Sequence, residues 1–245
     1  MGTRRRMFGA MFGTALIALL VSAGSASASF HLIKIRSIFR GPSASGAFIE
    51  LQMYADGQNL VGGHTIRVCP PNGIICSVFG LPSNVANGQN QRRILVGDST
   101  APGSPDFTLP GLGTSLTNLA SGGAACWDTV DCVSWGTFTG EANLPSPAGT
   151  PIAGGLSGSM VSVRNITRGC PTALDEADDT NNSAADFGFA VGYPLHNNSV
   201  TPSEVLCPPT PTTTMTTAKK CKKHKKKKSG GYTAKKKKCK KKKHH

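Results

Sequence analysis

Phe48-Ile49-Glu50-Leu51-Gln52-Met53-Tyr54 alternates apolar and polar side chains. With the two-residue period of a strand, Ile49, Leu51 and Met53 share one face, and Glu50 and Gln52 take the other. The same period returns at Ile33 and Ile35, Ile66 and Val68, Ile94 and Val96, Val133 and Trp135, and Val161 and Val163, which predicts a set of half-buried strands. Turn formers lie between them: Gly41-Pro42-Ser43, Asn72-Gly73, Asn87-Gly88 and Pro102-Gly103. No segment sustains a helical stripe, and residues 172–177 offer at most one short turn. Short strands with frequent turns predict an all-β sandwich or barrel rather than an alternating α/β fold.

Cysteine spacing points to an oxidising compartment. Cys69 and Cys76 bracket a predicted hairpin tip, Cys126 and Cys132 bracket five residues, and Cys170 and Cys207 remain as a long-range pair. Three disulfides are expected. Loop-closure entropy assigns ~2.5 kcal/mol to the first short loop and ~4 kcal/mol to the long one. A metal site is disfavoured, because these cysteines lack a paired C-x-x-C or nearby histidines.

The two ends differ in composition from the middle. Arg4-Arg5-Arg6, an apolar run and then Ser25-Ala26-Ser27-Ala28 read as a signal peptide over residues 1–28, cleaved after Ala28. Arg5-Arg6-Met7-Phe8 is too degenerate a twin-arginine match to choose the export route. Residues 29–207 have the composition of one domain, 208–216 form a Pro/Thr linker, and 217–245 form a lysine-rich tail expected to be disordered. The formal net charge of +14 conceals this division. The domain holds eight lysine and arginine residues and all thirteen acidic ones, a net charge of −5. The tail holds sixteen lysines: Lys219, Lys220, Lys222, Lys223, Lys225, Lys226, Lys227, Lys228, Lys235, Lys236, Lys237, Lys238, Lys240, Lys241, Lys242 and Lys243. Mobile point charges of this kind suit an anionic cell-wall polymer, a membrane surface, or nucleic acid without sequence specificity. Tyr232 is the tail's one aromatic residue, so base stacking has little support.

Four groups of motifs, in order, resemble the lamin-tail domain family. They are Ala47-Phe48-Ile49-Glu50-Leu51; Leu60-Val61-Gly62-Gly63-His64-Thr65-Ile66; Leu81-Pro82 through Asn87-Gly88-Gln89-Asn90 to Ile94-Leu95-Val96; and Asp131-Cys132-Val133-Ser134-Trp135-Gly136 with Met160-Val161-Ser162-Val163-Arg164, Asp186-Phe187 and the closing Pro194 to Asn197. The match departs at Gly63-His64, where the family's aromatic residue is absent, and in the added cysteines. The resemblance implies an immunoglobulin-like β-sandwich, found also in secreted bacterial proteins, that contacts macromolecules and carries no catalytic residues.

The residues offer little chemistry beside this. Gly155-Leu156-Ser157-Gly158-Ser159 ends in the wrong residue for a nucleophile elbow, and His31, His64 and His196 lie in no metal-binding motif. Asp128 and Asp131 would serve acid–base work only at a suitable separation. Asp175, Asp178, Asp179 and Asp186 supply the oxygen ligands calcium favours, but without EF-hand spacing, and a structural or solvated role is expected for them. Cys221, His224, Cys239, His244 and His245 suggest a zinc site only until the surrounding lysine charge is counted. No cofactor is implied. The expectation is a secreted, non-catalytic binding or structural module. Its rival is an extracellular hydrolase, which would show a concave pocket with converging carboxylates or histidines where a scaffold would show a filled sandwich.

Overall fold

Strand β1 (Ile33–Phe39) and strand β2 (Phe48–Met53) pair antiparallel, with Ile35 opposite Leu51 and Ile38 opposite Ile49. Strict alternation would not put Ile35 and Ile38 on one face. A bulge between Ile35 and Ser37 inserts the extra residue that does. This computed structural model describes residues 30–208. The further strands are β3 (Thr65–Cys69), β4 (Ser77–Gly80), β5 (Arg93–Gly97), β6 (Phe107–Thr108), β7 (Gly122–Trp127), β8 (Asp131–Gly136), β9 (Val161–Arg164) and β10 (Phe187–Ala190). One sheet has the order β10-β9-β1-β2-β5-β6 and the other β4-β3-β7-β8. Every pairing is antiparallel except β5 with β6.

The two sheets share one core. Ile33, Ile35, Ile38, Ile49, Leu51, Met53, Ile94 and Val96 from the first meet Ile66, Val68, Ala125, Trp127, Val133 and Trp135 from the second. Both indoles are fully buried, and each finds an acceptor: Trp127 donates to the Phe30 carbonyl and Trp135 to that of Leu119. Among the described residues no helix is long and apolar enough to cross a membrane.

Two expectations need correction. Helix α1 (Leu112–Asn118) buries Leu112 and Leu116, one turn apart, where the sequence predicts no helix because Gly, Thr, Ser and Asn, poor helix formers, fill the run. Helix α2 (Ser183–Asp186) and a 3₁₀ turn at Glu176–Asp178 are short, capped pieces of the same kind, set by Asn182 and Asp175. The central strands are also not half-buried. All six residues of β2 and all five of β5 are buried, Glu50 and Gln52 included, because residues 191–207 return across the polar face of the first sheet. We call this segment the strap.

Three disulfides join Cys69 to Cys76, Cys126 to Cys132 and Cys170 to Cys207. Cys126 and Cys132 are direct cross-strand partners on β7 and β8. Cys69 and Cys76 close the β3–β4 tip, and Cys207 ends the strap. Contacts divide the chain between Cys207 and Pro208. The segment expected to be a signal peptide, the rest of the linker and the lysine tail lie outside the described residues.

Candidate functional site

Ile35 sits where β1 and β9 no longer pair, since their ladder covers only Ser37 and Ile38. Its free backbone groups are taken by side chains. The Ile35 N–H donates to Asp131 Oδ2 at 2.7 Å, and its carbonyl accepts from Arg164 Nε at 3.0 Å. Arg164 Nη2 donates to the same Asp131 oxygen at 2.7 Å, while Nη1 lies 3.2 Å from Asp179 and 3.8 Å from Asp186. The Phe187 ring covers the guanidinium at 4.8 Å. Burial would lower the Arg164 guanidinium's pKa, but Asp131, Asp179 and Asp186 reverse that and hold it cationic. Burial pushes the Asp131 carboxyl upward against the pull of Arg164 and Lys34. Asp179, which burial would also raise, is brought below the usual carboxylate range by Arg164 and its ion pair with Lys34.

This cluster accounts for the acidic segment. Asp175 accepts from the Cys170 and Ala177 amides. Asp178 accepts from those of Thr167, Arg168 and Asp175. Asp186 accepts from the Thr180 amide and hydroxyl and from Arg168. The four proposed calcium ligands are therefore parts of turns and ion pairs. Among the described residues no group of three or more His, Cys, Asp or Glu side chains is placed to hold a metal.

A second charged network lies under the strap. Glu50, fully buried on β2, accepts from the Tyr193 hydroxyl at 2.6 Å, the His196 amide at 2.9 Å and the Ser37 hydroxyl at 3.3 Å. Arg93 reaches Tyr193 at 2.9 Å and Glu204 at 2.7 Å. Burial, reinforced by Glu50, raises the Tyr193 hydroxyl's pKa, so it stays a donor. Arg36 packs with its guanidinium 5.9 Å from the Tyr193 ring centre, and burial lowers its pKa. This network is not fully satisfied: among the described residues, Arg36 Nε and Nη1, Arg93 Nε, Gln52 Oε1 and Glu204 Oε2 are buried without a hydrogen-bond partner. Asn198 pins the strap through a reciprocal pair with Asn87, at 2.8 to 3.0 Å, and through the Asp106 carboxylate. Sequence reasoning left Arg93, Tyr193, Asn198 and Glu204 without a role. The nearest signal was the closing motif, which stops one residue short of Asn198.

The other candidates disperse. Asp128 pairs with His64 at 2.6 Å, and Phe30 stacks on that imidazole, whereas Asp131 turns inward to Arg164. These two carboxylates therefore face different partners. Ser157 accepts from the Ser159 and Met160 amides within its own loop. The motif positions Asp131, Arg164, Asp186 and Phe187, which are far apart in sequence, meet in one buried cluster. No family model matches the chain, and neither does any curated protein or solved structure.

Proposed function

We propose that this chain is a secreted, non-catalytic scaffold of the lamin-tail, immunoglobulin-like type, which attaches through its lysine tail to anionic surfaces or polymers. The carrying observation is where the cations are. In the domain, Lys34, Arg36, Arg92, Arg93 and Arg164 are buried, Arg168 pairs with Asp186, and the remaining two, Arg40 and Arg67, are partly buried. With a net charge of −5 as well, the domain has little to offer a polyanion, and the sixteen tail lysines are left for that contact. The lamin-tail reading is supported by the order of the motifs and by their meeting around Arg164. The disulfides fit an extracellular setting.

Each lysine near an anionic lipid surface contributes on the order of 1 kcal/mol, so about half of the tail supplies ~8 kcal/mol, roughly micromolar binding. Co-sedimentation with anionic vesicles, cell walls and DNA across a salt series tests this. The full protein should bind and release with salt, and a version ending at Cys207 should bind poorly. Equal binding by both, or indifference to salt, would contradict the proposal.

A further inference from the structure

The tip between β3 and β4 is built differently from the other turns. Ile75 is 93% exposed, Ile74 52% and Val78 58%, so three branched apolar side chains stand in solvent around one disulfide. Ile75 also has φ +59°, in the left-handed region, where a β-branched residue is strained. Glycine or asparagine would hold that turn more easily. The fold thus accepts a local cost at the position where it displays its most exposed isoleucine.

We propose that this tip is a bilayer-insertion element, with Ile74, Ile75 and Val78 entering the acyl region of an anionic membrane. The proposal deepens the attachment reading above, on which it rests for the choice of an anionic surface. Two observations favour lipid over a protein partner. Residues 68–91 contain no Asp, Glu, Lys or Arg, and the charge paired across the ladder with Val78 is the Arg67 cation, which suits an anionic headgroup. Part of the loop's polar backbone, from Pro70 to Ile74, is satisfied from within the protein, which lowers the cost of entering lipid. Gly73 N–H donates to the Pro70 carbonyl and Ile74 N–H to the Asn72 side chain, while the Pro71 and Asn72 carbonyls accept from Thr139 N–H and the Asn143 side chain. The Cys69–Cys76 bond holds this shape before contact, so little ordering is needed on insertion.

The full secreted protein should be tested on vesicles of phosphatidylcholine with phosphatidylglycerol, and in parallel on DNA as a polyanion without an apolar phase. Ile75→Gly removes the apolar group and relieves the backbone. It should weaken vesicle binding by about tenfold, leave DNA binding unchanged and raise the melting temperature. Ile75→Trp gives a direct readout. Trp127 and Trp135 are fully buried, so quenching by brominated acyl chains would report position 75. Vesicle binding without quenching, no binding to vesicles, or equal loss on vesicles and DNA for Ile75→Gly would each overturn the insertion. Failure of the tail reading is separately visible, as DNA binding that survives removal of the lysines.

Discussion

The Arg164 cluster and the network under the strap both bury charge against the first sheet, and they differ in how far it is matched. Around Arg164, three carboxylates, two backbone carbonyls and an aromatic face converge on one guanidinium that is 1% exposed. Under the strap, Glu50 is saturated, but Arg36, Arg93, Gln52 and Glu204 each keep a buried atom unpartnered among the described residues. The first region replaces missing strand pairing at Ile35 and is part of the sandwich. The second is a polar sheet face covered by the strap, which Asn198, Glu204 and one disulfide hold. Buried charge by itself therefore does not mark a site in this fold, and the degree of satisfaction separates frame from cover.

The largest effect expected is from Arg164→Met. It strands the fully buried Asp131 without its ion-pair partner, leaves Asp179 with Lys34 alone, and should cost about 3–5 kcal/mol in urea unfolding. A loss under ~1 kcal/mol would erase the distinction between the regions. Replacing Cys170 and Cys207 together by serine should cost less, about 2–4 kcal/mol, because it frees only the strap and the loop it closes. Differential scanning calorimetry of the reduced-pair variant against the parent decides that order.

Glu204→Gln is smaller again, about 1–2 kcal/mol, since Arg93 keeps Glu50 and Tyr193. The carboxyl also has a pH signature. Burial would raise it, but the hydrogen bond and charge of Arg93 hold it below its ordinary 4.5. A carboxylate depressed in the folded state stabilises fully above its unfolded pKa and loses that contribution as pH falls through the folded value. The parent should therefore lose strap stability only below about pH 4.5, and Glu204→Gln should show a smaller acid loss there. Thermal melts at pH 7 and pH 3 measure the difference. The smallest effect is that of calcium. With Asp175, Asp178, Asp179 and Asp186 engaged by amides and cations, millimolar calcium should leave the melting temperature unchanged, and a rise abolished by Asp179→Ala would reverse this reading.

The strands were legible because alternation at residues 48–54 and at the paired Ile and Val positions reports the inner face directly. Two cysteine pairs were legible from bracketing, and Cys170–Cys207 as the pair that remained. Helix α1 was not, because the helical spacing of Leu112, Leu116 and Leu119 is carried by a short run of Gly, Thr, Ser and Asn, which are poor helix formers, and its helicity comes from packing on the core. The burial of Glu50 and Gln52 was hidden for a related reason. Alternation tells which residues share a face but not whether a distant segment covers it, and the strap is set by Tyr193, Asn198 and Cys207 more than 140 residues after β2 begins. The acidic run 175–186 is expected to be structural or solvated, but the partners that engage it are not legible. Its arginine and lysine partners come from β1, β9 and the loop before it, which no local pattern reveals.

Native-state hydrogen exchange on the Cys170→Ser/Cys207→Ser variant tests the frame-and-cover distinction most directly. The Ile35 amide reports on the Arg164 cluster through Asp131, and the His196 amide reports on the strap through Glu50. Without the disulfide, His196 should exchange much faster while Ile35 keeps the protection it has in the parent. Equal acceleration at both amides, or unchanged protection at His196, would contradict the account.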